Sequence, residues 1–281
     1  MEESSVVRLE LSSKPESISL VRGMLAGVAE PLELDLELVD DLKTAVSEAC
    51  NNVALHAYEH GPGPLLVNLG VHGETVGVVV RDWGDGINHV APSSDRMHVG
   101  LALISALADR VEFLSAADGG TEVRMLFDRA GDRAELPEGF PEIETGNGWR
   151  ERLSGDVVVT LAPVKLLSGV LGRLARALAA SARFTLDRFS DLYLVTDALA
   201  AHAQNAANSS LISFALHAGQ RRLEMTVGPF NRGIADQVRD PSGTEQPLLT
   251  LLADELTTES ANSSELLTLV MQDRIGAEAM N

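Results

Sequence analysis

Residues 48–58 read Glu-Ala-Cys-Asn-Asn-Val-Ala-Leu-His-Ala-Tyr, and residues 82–87 read Asp-Trp-Gly-Asp-Gly-Ile. The first stretch spaces Glu48, Asn52 and His56 four residues apart, which puts their side chains on one face of a helix. The second stretch is an acid followed by glycines, and glycine lets a backbone approach a ligand closely or adopt positive φ. A polar stripe on an otherwise apolar helix, facing a glycine-rich turn, indicates a nucleotide-binding site.

The residues around these two stretches predict an α+β unit. Apolar residues at helical spacing, bounded by turn residues, predict helices at 15–29, 36–58 and 100–109. Short apolar runs rich in β-branched residues predict strands at 6–11, 65–71, 75–81, 111–115 and 121–127. Residues 82–98 are expected to form a loop. The aspartate of the second stretch then lies at the end of a strand.

A stretch between residues 129 and 152 is dominated by proline, glycine and acidic residues and has no helical or strand period. We therefore predict two domains, at 1–130 and 154–281, joined by a linker at 131–153. A shift of 150 residues places Leu11 on Leu161 and Asp41 on Asp191, and the order of predicted elements repeats. A divergent tandem duplication is expected, and the alternative is two unrelated α+β segments of similar size.

The same alignment predicts that the second half lacks the polar residues of the first. Glu48 falls on Ala198, Asn52 on His202 and His56 on Ala206. Asp82 falls on Gly228 or Pro229, depending on a one-residue gap. The second domain is therefore expected to keep the scaffold without the nucleotide site.

Composition limits the classes of function. The chain has 281 residues and a formal net charge of −19, which argues against direct binding to nucleic acid because that requires a basic face. Cys50 is the single cysteine, so no intrachain disulfide is possible, and a small buried core residue is its expected role. No apolar run approaches the roughly 20 residues of a membrane span. The acidic N-terminus is unlike a signal peptide, and a cytoplasmic location is expected.

The two stretches resemble the N-box and the first G-box of the GHKL (Bergerat-fold) ATPases, and the short form resembles the bacterial anti-sigma factor serine kinases. Two further motifs agree in order and spacing. Residues 100–104, Gly-Leu-Ala-Leu-Ile, match the family's Gly-Leu-x-Leu-Ile run, and Gly120-Thr121 matches its Gly-Thr box. The resemblance covers most of residues 6–128 and includes a short lid at 87–99. It implies a two-layer α/β sandwich, the histidine-kinase-like ATPase fold, duplicated in tandem.

The resemblance also implies roles for individual residues. Glu48 would be the general base, Asn52 would hold Mg²⁺, and Asp82 would accept a hydrogen bond from the adenine amino group of ATP. The remaining nucleotide-binding positions implied by the family are Gly84, Gly86, Gly100, Leu101 and Thr121. His98 and Val99 stand where the family often has a glycine or arginine. The roles of His56, Arg96 and His98 stay open.

The implied function is that of an ATP-dependent kinase. Such a protein phosphorylates a serine or threonine of a STAS-type antagonist protein and controls a sigma factor by partner switching. The alternative is a nucleotide-gated binding module that sequesters a regulator and transfers phosphate slowly or never. Because single-domain members of the family act as homodimers, the second half is expected to form an intrachain pseudo-dimer with the first, and further self-association stays open.

Overall fold

The structure is a computed structural model that describes residues 5–85, 95–128, 150–234, 248–261 and 263–273. The chain divides into two compact units, Met1–Thr145 (unit 1) and Gly146–Asn281 (unit 2). The division falls within the range 131–153 that the sequence predicts to be a linker. None of the helices in the described ranges is long and apolar enough to cross a membrane.

The described part of unit 1 contains five strands and three helices. In chain order these are β1 (Ser5–Ser12), α1 (Ser17–Ala29), α2 (Leu36–His56), β2 (Pro64–His72), β3 (Thr75–Asp82), α3 (Asp95–Leu107), β4 (Arg110–Ser115) and β5 (Thr121–Asp128). The strands lie in the order β4-β5-β3-β2-β1, and all neighbours are antiparallel. Because β5 pairs with β3, the end of β3 lies beside the start of β5, with Arg81 opposite Glu122.

Helix α2 buries most of the apolar face that its spacing predicts, although Leu55 is 67% exposed, and it packs against α1, α3, β3 and β5. Its buried side chains are Val39, Leu42, Ala45, Val46, Ser47, Ala49, Cys50 and Val53. Cys50 is fully buried, and this burial raises the pKa of its thiol to about 12. The cysteine is therefore a small core residue, as expected, and its thiol stays protonated.

The predicted fold class is confirmed, and the elements of unit 1 agree closely with their predicted bounds. One boundary is wrong. The third helix begins at Asp95, five residues before the predicted start at Gly100. Residues 96–99 include no glycine or proline to stop a helix, and an aspartate in the first turn is favourable there. Gly100 therefore lies inside the helix, and its N–H is not one of the free donors at the helix start.

Unit 2 repeats the order of strands and helices seen in unit 1. After a short 3-10 turn at Arg150–Arg152 it contains β6 (Val157–Ala162), α4 (Leu166–Ser181), α5 (Leu186–Ala206), β7 (Ile212–Gly219), β8 (Arg222–Asn231), α6 (Leu248–Leu252), β9 (Glu255–Ala261) and β10 (Ser264–Gln272). The strands lie in the order β6-β7-β8-β10-β9, the same arrangement as in unit 1.

Local details of the two units also correspond. Helices α2 and α5 both have 21 residues, and both their ends are related by the shift of 150. The loop before each helix has a non-glycine residue at positive φ, Glu33 at 54° and Arg183 at 60°, again 150 residues apart. These agreements support the predicted tandem duplication, which stays a prediction.

Candidate functional site

The predicted base and metal ligand lie together on α2. The side chains of Glu48 and Asn52 are partly exposed and both approach the backbone of Gly100 in α3. A Cβ atom on Gly100 would lie 3.2 Å from Glu48 Oε2 and 3.6 Å from Asn52 Oδ1. Gly100 is buried, and the absence of a side chain there lets α3 approach these two polar groups closely. His56, in the last turn of α2, is exposed.

Asp82 is a buried carboxylate at the end of β3, with a side chain that is 2% exposed. Its Oδ1 accepts the N–H of Gly84 at 2.8 Å and the N–H of Thr121 at 3.3 Å. Burial raises the pKa of Asp82, and the two N–H donors and the Arg81 guanidinium offset part of this rise. Among the described residues both donors bind Oδ1, so we take Oδ2 as the oxygen available to a ligand.

Two glycines keep the backbone close around Asp82. A Cβ atom on Gly84 would lie 1.9 Å from the carbonyl oxygen of Ala57, at the end of α2. Gly120 has φ +84°, and its Cβ atom would lie 2.1 Å from the carbonyl oxygen of Asp82. Any side chain at either position would push residues 82–85, the Asp82 turn, away from the neighbouring segments. The turn is thus held between the end of α2 and the start of β5.

The remaining predicted residues are only partly accounted for. Gly86 lies outside the described residues, as do the side chains of Arg96 and His98. Leu101 lies on α3 beside Gly100 and is partly exposed. Thr121, one of the positions implied by the family resemblance, contacts Asp82 through its backbone N–H.

Sequence reasoning missed two residues that hold the turn. The hydroxyl group of Tyr58 accepts the N–H of Trp83 at 2.9 Å. The guanidinium of Arg81 lies 4.8 Å from the centre of the Trp83 ring and pairs with Asp118. An aromatic residue at the end of the predicted helix 36–58 was the available signal for Tyr58. No local signal identifies its partner, which lies 25 residues away in the sequence.

The corresponding place in unit 2 has a different chemistry. The paired residues His72 and Thr75 correspond to Gly219 and Arg222, and counting along the strands then places Pro229 where β3 has Asp82. The next residue, Phe230, is fully buried. No carboxylate therefore stands at the end of β8.

A carboxylate approaches the same turn of unit 2 from the opposite strand. Glu265 accepts the N–H groups of Gly233 and Ile234, both at 3.1 Å. Asp109 and Asp254 make the same two hydrogen bonds to the last strand of their unit, one through the backbone N–H and one through the side-chain carboxylate. When the last strands are aligned by these bonds, Glu265 takes the position of Thr121. The turn amides of unit 2 are therefore already bound by the unit's own side chain.

Unit 1 is a two-layer α/β unit with a polar helix face and a buried carboxylate at the end of a strand, and both polar features lie against glycines. This arrangement is that of a histidine kinase-like ATPase domain. Residues 11–127 match the family described as "Histidine kinase-like ATPase domain". The chain is 30% identical to an anti-sigma F factor of Thermoanaerobacter sp. (strain X514), over 44% of this chain and 94% of that protein. It is also 30% identical to a serine-protein kinase RsbW of Bacillus velezensis, over 50% of this chain and 95% of that protein.

The chain belongs to the GHKL ATPase family, within the group that contains the anti-sigma factor serine kinases. The residues matched by the family, 11–127, lie within unit 1. The family resemblance predicted from the four motifs is therefore confirmed.

Proposed function

We propose that unit 1 binds Mg-ATP and transfers the γ-phosphoryl group to a serine or threonine of an antagonist protein. By this transfer the chain controls a sigma factor through partner switching. The observation that carries the proposal is that one helix, α2, connects both parts of the site. The side chains of Glu48 and Asn52, on α2, approach Gly100, and the Asp82 turn contacts the C-terminal end of the same helix.

The residues present fit a magnesium nucleotide. Mg²⁺ takes oxygen ligands and keeps several of its waters, so the amide oxygen of Asn52 would be one protein ligand. The phosphates would bind where Glu48 and Asn52 approach α3 at Gly100. When bound, Mg²⁺ neutralises charge on the phosphates. Glu48 is one helical turn from Asn52, and we assign it the role of the general base that accepts the proton of the substrate hydroxyl.

The adenine end of the site would be read by Asp82. The exocyclic amino group of adenine is a donor, and Oδ2 of an ionised Asp82 is an acceptor in a buried environment. Gly84, Gly86 and Thr121 would line this end. Gly100 and Leu101 would line the phosphate end, where Gly100 allows α2 and α3 to approach closely and does not offer a free N–H donor.

The partners are inferred from the relatives. Those proteins are named anti-sigma F factor and serine-protein kinase, and we extend both activities to this chain. A sigma factor and a STAS-type antagonist are the proposed partners, and such a role belongs in the cytoplasm. Unit 2 would be a duplicated copy that binds no nucleotide. It would take the place of the second subunit of a homodimer, so that the two units form an intrachain pseudo-dimer.

Calorimetric titration with Mg-ATP tests the binding step, and the Asp82→Asn variant tests whether Asp82 binds the adenine. One site per chain is expected for the wild-type protein. The variant should bind about 10- to 100-fold more weakly, because a hydrogen bond to a charged group contributes about 1.5–3 kcal/mol. The asparagine NH₂ would also oppose the adenine amino donor. Absence of Mg-ATP binding by the wild-type chain would overturn the proposed function.

Glu48→Gln tests the transfer step separately from binding. We expect phosphorylation of the antagonist to fall by about 10²- to 10⁴-fold, the usual contribution of a general base, while Mg-ATP affinity changes little. Unchanged transfer in this variant would remove Glu48 from the mechanism. A wild-type chain that binds Mg-ATP and phosphorylates no antagonist would instead favour the nucleotide-gated binding module.

A further inference from the structure

Tyr58 links three segments of unit 1 through one side chain. It is the second residue after α2, and its ring covers Gly63, where a Cβ atom would lie 2.2 Å from the ring carbon Cε1. Its hydroxyl group donates to the carbonyl oxygen of Pro64 at 2.5 Å and accepts the N–H of Trp83 at 2.9 Å. The end of α2, the start of β2 and the turn after β3 are therefore connected at this hydroxyl group.

A second contact lies beside the first. The carbonyl oxygen of Ala57 accepts the N–H of Asp85 at 3.0 Å, and Gly84 approaches Ala57 more closely than any other residue type would allow. Two consecutive residues at the end of α2 thus bind two residues of the Asp82 turn, Trp83 and Asp85. Because Glu48 and Asn52 are on the same helix, these contacts set the position of Asp82 relative to both.

The phenol of Tyr58 is suited to binding one acceptor and one donor. Burial raises its pKa, the charge of Asp82 raises it further, and the Trp83 N–H partly opposes this rise. The group therefore keeps its proton well above neutral pH. It can donate to Pro64 and accept from Trp83 at the same time.

We propose that Tyr58 is a positioning residue that holds the adenine-binding turn against the end of the helix that carries Glu48 and Asn52. The inference rests on the proposed function, since it gives Tyr58 a part in nucleotide binding without contact with the nucleotide. Loss of the hydroxyl group would leave the fold intact and let the Asp82 turn move relative to α2. Affinity for the adenine part of the ligand should fall, and affinity for its phosphate part should not.

The variant Tyr58→Phe tests this in the full chain, and Tyr193→Phe is the matched control. The chain has two tyrosines, and Tyr193 lies on α5 of unit 2 with 56% of its surface exposed. Calorimetry would measure binding of Mg-ATP and, separately, of magnesium with inorganic tripolyphosphate. Loss of the hydroxyl bonds should weaken Mg-ATP binding by about 5- to 10-fold, and tripolyphosphate binding should be the same in all three proteins.

Fluorescence quenching measured without nucleotide tests the role of Tyr58 separately from the proposed function. In a Trp149→Phe background Trp83 is the single tryptophan, and acrylamide quenching reports how well the turn shields it. We expect Tyr58→Phe to increase quenching of Trp83 and Tyr193→Phe to leave it unchanged. If the wild-type chain binds no Mg-ATP, the proposed function fails, and the quenching experiment still decides whether Tyr58 holds the turn.

Two results would overturn the role of Tyr58. Unchanged quenching in Tyr58→Phe would mean that the hydroxyl group does not hold the turn. Equal weakening of Mg-ATP and tripolyphosphate binding would mean that the substitution loosens the whole unit rather than the adenine end.

Discussion

At the scale of single residues, Asp82 shows how a binding group opposes stability. Its side chain is almost fully buried, and burial is the main cause of its raised pKa. Because the pKa in the folded state lies above the ordinary value, Asp82 contributes stability that is fully present below about pH 4. That stability is lost as the pH rises through the raised pKa. The carboxylate proposed to read adenine therefore lowers the stability of unit 1 near neutral pH.

We expect Asp82→Asn to be at least as stable as the wild-type chain at pH 7 and to lose this advantage as the pH falls to about 4. Asparagine does not ionise, and its oxygen can still accept the N–H of Gly84. Urea unfolding at several pH values gives the difference in the free energy of unfolding. The control is Asp85→Asn, since Asp85 is an exposed carboxylate of the same turn. A stability deficit of Asp82→Asn that grows with pH would contradict this reading.

At the scale of elements, local patterns predicted most of unit 1. The apolar spacing of α2 was sufficient to predict the helix because its buried face, from Val39 to Val53, is continuous over about four turns. The predicted end of the helix differs from the structure by two residues. The strands were equally readable, since β2 and β3 are short apolar runs around a two-residue turn. The start of α3 was not readable, because the residues before Gly100 are compatible with either a loop or a helix.

The candidate site was predicted in its two parts but not in how they join. Glu48 and Asn52 follow from helical spacing, and Asp82 follows from the end of a strand. The joining contacts are non-local. Thr121 reaches Asp82 only because β5 pairs with β3, and Tyr58 reaches Trp83 only in the folded unit. Sequence spacing does not determine either contact.

The turn between β4 and β5 offers a matched pair of substitutions. Gly119 and Gly120 both have positive φ, at 96° and 84°, so alanine should cost about 1–2 kcal/mol at either position. A Cβ atom on Gly119 meets nothing within 4 Å, whereas one on Gly120 would overlap the carbonyl oxygen of Asp82. Gly120→Ala should therefore be the more destabilising in urea unfolding, and it alone should weaken Mg-ATP binding. Equal effects of the two variants would mean that Gly120 does not control the position of Asp82.

At the scale of the whole molecule, the two units differ in charge and in chemistry. Unit 1 has 10 basic and 26 acidic residues, and unit 2 has 12 basic and 15 acidic residues. Most of the net charge of −19 therefore belongs to the unit that carries the candidate site. In unit 2, Ala198, His202 and Pro229 stand where unit 1 has Glu48, Asn52 and Asp82. The predicted duplication followed by divergence would account for a common order of elements with such different residues.

Hydrogen exchange measured along the full chain tests this asymmetry. Saturating Mg-ATP should slow exchange in peptides that contain the Asp82 turn and the end of α2, because binding stabilises the state that is protected. Peptides around Phe230 and Ile234 should not respond, since Glu265 already binds the N–H groups of Gly233 and Ile234. The Asp82→Asn variant should lose the response at a nucleotide concentration that saturates the wild-type chain. Direct protection of the Phe230 peptide, matching that of the Asp82 turn, would mean that unit 2 binds nucleotide despite its substitutions.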